Sequence, residues 1–197
     1  MFYWFAWSLV RFLHVIFFPL KIVGKENIPK KGAFILASNH QSYLDPMVIP
    51  ISTSRRLNFI ARDTLFKSRV MSWILRHLDV FPIKRNSSDV KAIRMSLNIL
   101  KQDKPLLMFP EGTRKGHKEE KTVQPGIGLL ATLSGVPVIP VYVSGSEKVL
   151  PPGSKSLRRH LIKVSYGKPI FFAKGKDYQH KAERIMQNIY ALKEANL

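Results

Sequence analysis

The sequence predicts a single α/β domain: a central, mostly parallel (mixed) sheet flanked by helices, with an apolar helix at the N-terminus. Three observations predict it. Short apolar runs at 33–37, 106–109 and 136–143 have the length of strands buried on both faces. Other segments have helical period, best seen from 87 to 102, where Val90, Ile93, Leu97 and Leu100 share one face and Lys91, Arg94, Asn98 and Lys101 the other. The two kinds alternate, as they do when parallel strands are joined by helical crossovers. The 197 residues, 45% of them apolar, suffice for one well-packed core, and neither a repeat nor a low-complexity linker divides them.

Residues 1–20 are aromatic and apolar, and their polar exceptions Ser8, Arg11 and His14 recur every three positions along one drifting stripe. No basic region precedes this segment and no small-residue cleavage site follows, so it does not read as a secretory signal. About nineteen helical residues would reach roughly 28 Å, close to a hydrocarbon core. Arg11 would then sit near the bilayer centre at a cost of about 2.5–3.5 kcal/mol. The expectation is therefore a helix lying in one leaflet of a membrane surface, in preference to a span. A helix laid on the protein's own core is the third reading. Residues 21–197 are expected to form the folded domain.

Residues 21–31, with Gly24, Pro29 and the adjoining Gly32, make a connector. The strand at 33–37 runs into Asn39-His40-Gln41-Ser42-Tyr43-Leu44-Asp45, and Asp45 with Pro46 suits the N-cap and first residue of a short helix at 46–51 that Pro50 disturbs. A second strand follows at 57–61, a short helix at 70–78 and a third strand at 79–83 that leads into Lys84 and Arg85. Ser87 or Ser88 caps the helix reaching Gln102. The fourth strand, 106–109, runs into Pro110-Glu111-Gly112-Thr113-Arg114, and a charged loop expected to be mobile occupies 114–121. Pro125 and Gly126 open a helix at 127–133, closed by Ser134 and Gly135. Strands at 136–143 and 161–166 and an amphipathic helix from Asp177, with Ile185, Ile189 and Leu192 inward, complete the chain. In such sheets the site lies beyond the carboxyl ends of the strands. His40, Arg85 and Glu111 all follow strand ends, which predicts one shared cleft.

Thirty-two Lys and Arg against 13 Asp and Glu leave a net charge of +19. Such an excess attracts nucleic acid, an acidic carrier protein or an anionic membrane surface. No RNP, helix-turn-helix or zinc pattern supports the first. With no cysteine in the chain, disulfides, thiol chemistry and cysteine-bound metals are excluded. His77, His117, His160 and His180 lack carboxylates at metal or triad spacing apart from the close pair His77 and Asp79, so no metal site is expected.

His40 and Asp45 carry the sharpest chemistry. A turn can fold the carboxylate onto the imidazole, fixing its tautomer and stabilising the imidazolium that forms when it takes a proton. The plainer alternative is a helix cap at Asp45 beside a histidine satisfied by the backbone. No Gly-x-Ser-x-Gly elbow points to a serine nucleophile. Arginine's planar fork suits a phosphate, and Arg114 follows Gly112, which permits a tight turn; Arg85 is the second candidate.

Asn39-His40-x4-Asp45 and Phe109-Pro110-Glu111-Gly112-Thr113-Arg114 together resemble the first and third blocks of the glycerolipid acyltransferase family. Residues 80–85 and 136–141 resemble its second and fourth, and the resemblance runs from about Lys21 to Gly167. It implies an enzyme of phospholipid biosynthesis that transfers a fatty acyl group from a thioester to the sn-2 hydroxyl of 1-acylglycerol 3-phosphate, making phosphatidic acid. His40 and Asp45 would act as the general base pair, and Arg85, Glu111, Gly112, Thr113 and Arg114 would form the acceptor site. The thioester, acyl-CoA or an acidic acyl carrier protein, would be a co-substrate, with no bound cofactor. The implied location is the cytoplasmic face of the cell membrane, peripheral or monotopic, on anionic lipid. Lys84 and Lys115 stand where the family usually has an acid and a serine, which leaves open another lysophospholipid or glycerol 3-phosphate as acceptor. A basic membrane- or nucleic-acid-binding protein without catalysis would leave both motifs unused.

Overall fold

Along β2 (Ile35–Ser38) successive side chains enter two different cores. Leu36 joins Val48, Ile49, Ile51 and Val141 on one face, while Ile35 and Ala37 join Ile93, Leu130, Ile185 and Ile189 on the other. Residues alternate across a strand, so an unbroken apolar run there means burial on both sides. The computed structural model describes residues 2–83, 89–111, 123–151, 154 and 156–194. Within them the helices are α1 (Phe2–Phe17), α2 (Asp45–Ser52), α3 (Arg69–His77), α4 (Asp89–Lys101), α5 (Gly126–Ser134), α6 (Ser146–Val149) and α7 (Tyr178–Glu194). The strands besides β2 are β1 (Leu20–Val23), β3 (Asn58–Arg62), β4 (Val80–Ile83), β5 (Leu106–Met108), β6 (Val138–Ser144) and β7 (Ile162–Tyr166).

The described strands form one seven-stranded sheet in the order β1-β7-β6-β2-β5-β3-β4. Neighbours are parallel except β6 and β7, which run antiparallel. The sheet is thus the mostly parallel, mixed one expected. From β2 the chain moves outward to β3 and β4 and returns to β5 beside β2. It then crosses to β6 on the other side of β2 and continues outward to β7. The order reverses at β2 and β6, where such sheets open a crevice. Helices α4, α5 and α7 cover one face, and α2 with the inner side of α1 covers the other. Gly128 lets α5 and α7 touch: a Cβ there would stand 2.0 Å from the Tyr178 carbonyl oxygen.

Several short elements depart from expectation. The connector at 21–31 contains β1 and a 3₁₀ turn, Lys25–Asn27. Lys21 and Val23 are exposed and Leu20 and Ile22 are only half-buried, as befits an edge strand too short to show a period. Helix α6 also lay outside the expected pattern, since four residues give no periodicity. Ser87, Ser88, the 114–121 loop, Lys84 and Lys115 lie outside the described residues.

Helix α1 has two unlike sides. Tyr3 is buried and its hydroxyl accepts from the Leu57 amide at 3.0 Å, and Trp7 Nε1 donates to the Pro50 carbonyl at 2.9 Å. Arg11 lies over the Trp7 ring and donates to the Ile51 carbonyl at 3.1 Å. A cation there satisfies a last-turn carbonyl of α2 and the negative end of its dipole. Phe5 and Phe12, 66% and 67% exposed, face away with Leu9 and Val15. Among the described residues no helix is long and apolar enough to cross a membrane.

Candidate active site

Asn39 continues the β2–β6 pairing with its side chain. Its Nδ2 donates to the Val143 carbonyl at 2.9 Å and its Oδ1 accepts from the Val143 amide at 2.8 Å. This fixes the start of the turn that carries His40. Asp45 closes the turn: its Oδ2 accepts from the amides of Gln41 at 2.7 Å and Ser42 at 2.8 Å, and lies 2.9 Å from His40 Nδ1. A carboxylate oxygen only accepts, so Nδ1 carries the hydrogen, and in the neutral ring Nε2 is left with a lone pair. Oδ1 accepts from Ser146 Oγ at 2.6 Å. Asp45 is fully buried, His40 retains 14% side-chain exposure, and its ring stacks on Phe109 at 4.2 Å between centroids.

The alternative of a helix cap at Asp45 fails on this geometry. Asp45 is the first residue of α2, Leu44 holds the N-cap position, and no side chain caps the helix. The carboxylate reaches back to the preceding turn instead of forward to the helix amides, so Asp45 is spent on His40 and its loop.

Glu111, just past β5, is buried, and its Oε1 accepts from the Tyr190 hydroxyl of α7 at 2.6 Å. The Tyr190 ring meets Tyr142 edge-on, and the Tyr142 hydroxyl accepts from Gln41 Nε2 at 3.4 Å. Burial pushes the Tyr142 phenol above its ordinary ionisation range, and the Gln41 bond opposes that. His40, Gln41, Phe109 and Tyr190 border a cavity of about 1240 Å³, larger than most small-ligand sites. Its walls are mostly apolar beyond the histidine, with Trp7, Met47, Phe59, Leu65 and Leu75 among them, while Arg62 and Lys193 bring positive charge and Glu147 negative.

Of the residues expected at the site, the structure brings His40 and Asp45 into contact and sets Glu111 beside a cleft residue, Tyr190. Arg85, Gly112, Thr113 and Arg114 lie outside the described residues. The pair His77 and Asp79 is divided: His77 Nδ1 donates to the Trp73 carbonyl and Asp79 binds Arg56. Among the described residues no group of His, Asp and Glu could hold a metal ion. Sequence reasoning missed Ser146, Tyr190 and Arg62. Arg62 ends β3 and Ser146 follows β6, so the strand-end rule that selected His40 would also have found them. Tyr190 adjoins Ile189 in a helix and carried no such signal.

Comparison with known proteins identifies relatives of the chain. The acyltransferase family model matches residues 19–144. A chloroplast 1-acyl-sn-glycerol-3-phosphate acyltransferase of Brassica napus is 31% identical over 162 residues, 80% of this chain and 47% of that protein. The 1-acyl-sn-glycerol-3-phosphate acyltransferase of Streptococcus pneumoniae is 32% identical over 149 residues, 74% of this chain and 53% of its own length. The chain thus spans about half the length of these relatives. The crystal structure of the 1-acyl-sn-glycerophosphate acyltransferase PlsC from Thermotoga maritima shares the fold, with a TM-score of 0.82 at 23% identity, over 97% of this chain and 78% of that one.

Proposed function

Since the chain belongs to the acyltransferase family, we propose that it transfers a fatty acyl group from a thioester to the sn-2 hydroxyl of 1-acylglycerol 3-phosphate, forming phosphatidic acid. One observation carries the reading: His40, with Nδ1 held by a buried carboxylate and Nε2 left as acceptor, borders a large apolar cavity. Such a histidine can take the proton of the acceptor hydroxyl while the oxygen attacks the thioester carbonyl carbon. The carbonyl π pair moves onto oxygen, and collapse of the tetrahedral intermediate breaks the C–S bond. The proton held by His40 passes to the leaving thiolate, so the histidine ends neutral. Asp45 stabilises the transient imidazolium, and the apolar walls receive the acyl chain.

In this reading Arg114 and Arg85 hold the acceptor's phosphate, with Gly112 and Thr113 shaping the loop, on the strength of residue chemistry and family resemblance. Glu111 hydrogen-bonds the glycerol hydroxyl or positions an arginine. The donor is acyl-CoA or an acidic acyl carrier protein, either suited to a chain of charge +19. A lipid acceptor implies a protein seated on the cytoplasmic face of an anionic membrane. The exposed side of α1 supports this, and so do Val70, Met71 and Trp73 of α3, exposed beside it where Phe2 meets Trp73 edge-on at 4.9 Å.

The test is purified protein with 1-acylglycerol 3-phosphate and each donor, assayed for phosphatidic acid. Product from either donor is expected. Transfer only to another lysophospholipid or to glycerol 3-phosphate would change the acceptor, and transfer to none would overturn the reading.

A further inference from the structure

The carboxylate of Asp45 is held from two directions. The amides of Gln41 and Ser42 and the ring of His40 all meet Oδ2, from the turn between β2 and α2. Ser146 meets Oδ1 from the other side of the sheet's reversal point, 101 positions along the chain. Both residues are fully buried. Rotation of an aspartate carboxylate about its last torsion is soft and moves both oxygens together, so a donor on Oδ1 adds a second restraint to the one that the three donors place on Oδ2. The Ser146 hydroxyl donates to Oδ1 and supplies that second restraint.

Ser146 is itself fixed. It follows Gly145, whose φ of +84° belongs to the left-handed region, and a Cβ at Gly145 would lie 2.2 Å from the Leu161 carbonyl oxygen. The amides of Val149 and Leu150 close a turn onto the carbonyls of Gly145 and Ser146, each at 3.1 Å, and Val149 is fully buried in the core. The backbone on both sides of the hydroxyl is therefore tied down.

We propose that Ser146 is a positioning residue for the acyl transfer: it fixes the rotation of the Asp45 carboxylate and so the orientation of the His40 ring. This rests on the acyltransferase reading, in which His40 must present Nε2 to the acceptor hydroxyl. A serine that merely satisfied a buried oxygen would affect folding and leave turnover of the folded protein unchanged. A positioning serine acts on kcat through Asp45, because small misplacements of a reacting group cost far more in rate than in binding.

The experiment compares Ser146→Ala, Ser146→Cys and Ser146→Thr, alone and with Asp45→Asn. Ser146→Ala is expected to lower kcat roughly 10- to 100-fold with both KM values held within about twofold. Ser146→Thr, which keeps the hydroxyl, should restore most of the rate, and Ser146→Cys, a weak donor of similar size, should fall between them. In the Asp45→Asn background Ser146→Ala should cost little more. Should the alanine variant fail to fold, the cysteine and threonine variants carry the comparison. Unchanged kcat in folded Ser146→Ala or Ser146→Cys would overturn the proposal, as would an equal loss in the Asp45→Asn background. A second readout needs no substrate: the ring N–H proton of His40, bonded to the carboxylate, should give a downfield NMR resonance that broadens or shifts in Ser146→Ala. An unaltered resonance would also overturn it. If wild-type protein acylates no acceptor, the acyltransferase reading fails by itself, and the resonance still decides whether Ser146 orients the ring.

Discussion

Tyr190 donates its hydroxyl to Glu111 Oε1 across 2.6 Å, so the last helix holds the carboxylate that follows β5. A hydrogen bond to a charged group contributes ~1.5–3 kcal/mol. If Glu111 serves the acceptor, Tyr190→Phe should raise the acceptor's KM by roughly tenfold or more and leave the donor's KM nearly unchanged. Steady-state kinetics with each substrate varied in turn checks this, and a shift in the donor's KM alone would reassign Glu111.

The dyad predicts a contrast between two variants. His40→Ala removes the base and should lower kcat by about 10²- to 10⁴-fold with a small change in stability, since the ring is partly exposed and stacks on one neighbour, Phe109. Asp45→Asn should also slow turnover and in addition destabilise the fold by about 1–3 kcal/mol, because an amide cannot accept on both sides as the carboxylate does. Urea unfolding of both, beside the kinetics, separates the effects.

Membrane seating should depend on the outer side of α1. Phe5→Ser and Phe12→Ser alter exposed rings without touching the contacts of Tyr3, Trp7 and Arg11. Full burial of such a side chain contributes roughly 1.5–3 kcal/mol, so each change should weaken binding to phosphatidylglycerol-containing vesicles by about tenfold or more. The melting temperature should stay within a few degrees. Co-sedimentation with vesicles measures this, and undiminished binding by the double variant would remove α1 from the membrane contact.

Alkaline stability should report Tyr166. Burial pushes its phenol well above the ordinary range, against the opposing bond to Ser52 at 2.5 Å, and burial raises Tyr3 as well. A phenol that resists ionisation only in the fold contributes stability below pH ~10, where both states keep the proton. That contribution is lost as pH rises further, because the unfolded chain releases the proton first, at a slope of up to ~1.4 kcal/mol per pH unit. Tyr166→Phe should be less stable than wild type at pH 8 by about 1 kcal/mol and lose less than wild type between pH 9.5 and 11. Denaturant titrations at those pH values give the comparison.

Burial on both faces made β2, β5 and β6 legible, since a run such as Ala33 to Ala37 has few other uses in a domain of this size. Edge strand β1 was not legible, because half-exposed Leu20 and Ile22 alternate with Lys21 and Val23 over too few residues. At the site the short-range relation was visible: His40 and Asp45 are five positions apart, and one turn suffices to join them. The aspartate's role as a cap was misjudged because capping residues and dyad carboxylates share the same sequence position, and only the direction of the side chain separates them. Ser146 and Tyr190 reach the site through the sheet order and the packing of α7, which no local pattern encodes.

The pairing of β1 has a consequence for the order in which the protein is made. In the described sheet β1 stands at the edge and touches β7, with Leu20 beside Ile162 and Val23 beside Ser165. Ribosomes add ~5–20 residues per second, so β1 waits roughly 7–30 s for its neighbour to emerge. Throughout that interval the aromatic helix directly before it can be held through its contacts with α2 and Leu57, which follow it closely in the chain. The strand synthesised early is thus enrolled late, and truncated chains that stop short of Ile162 keep β1 while lacking the strand it pairs with.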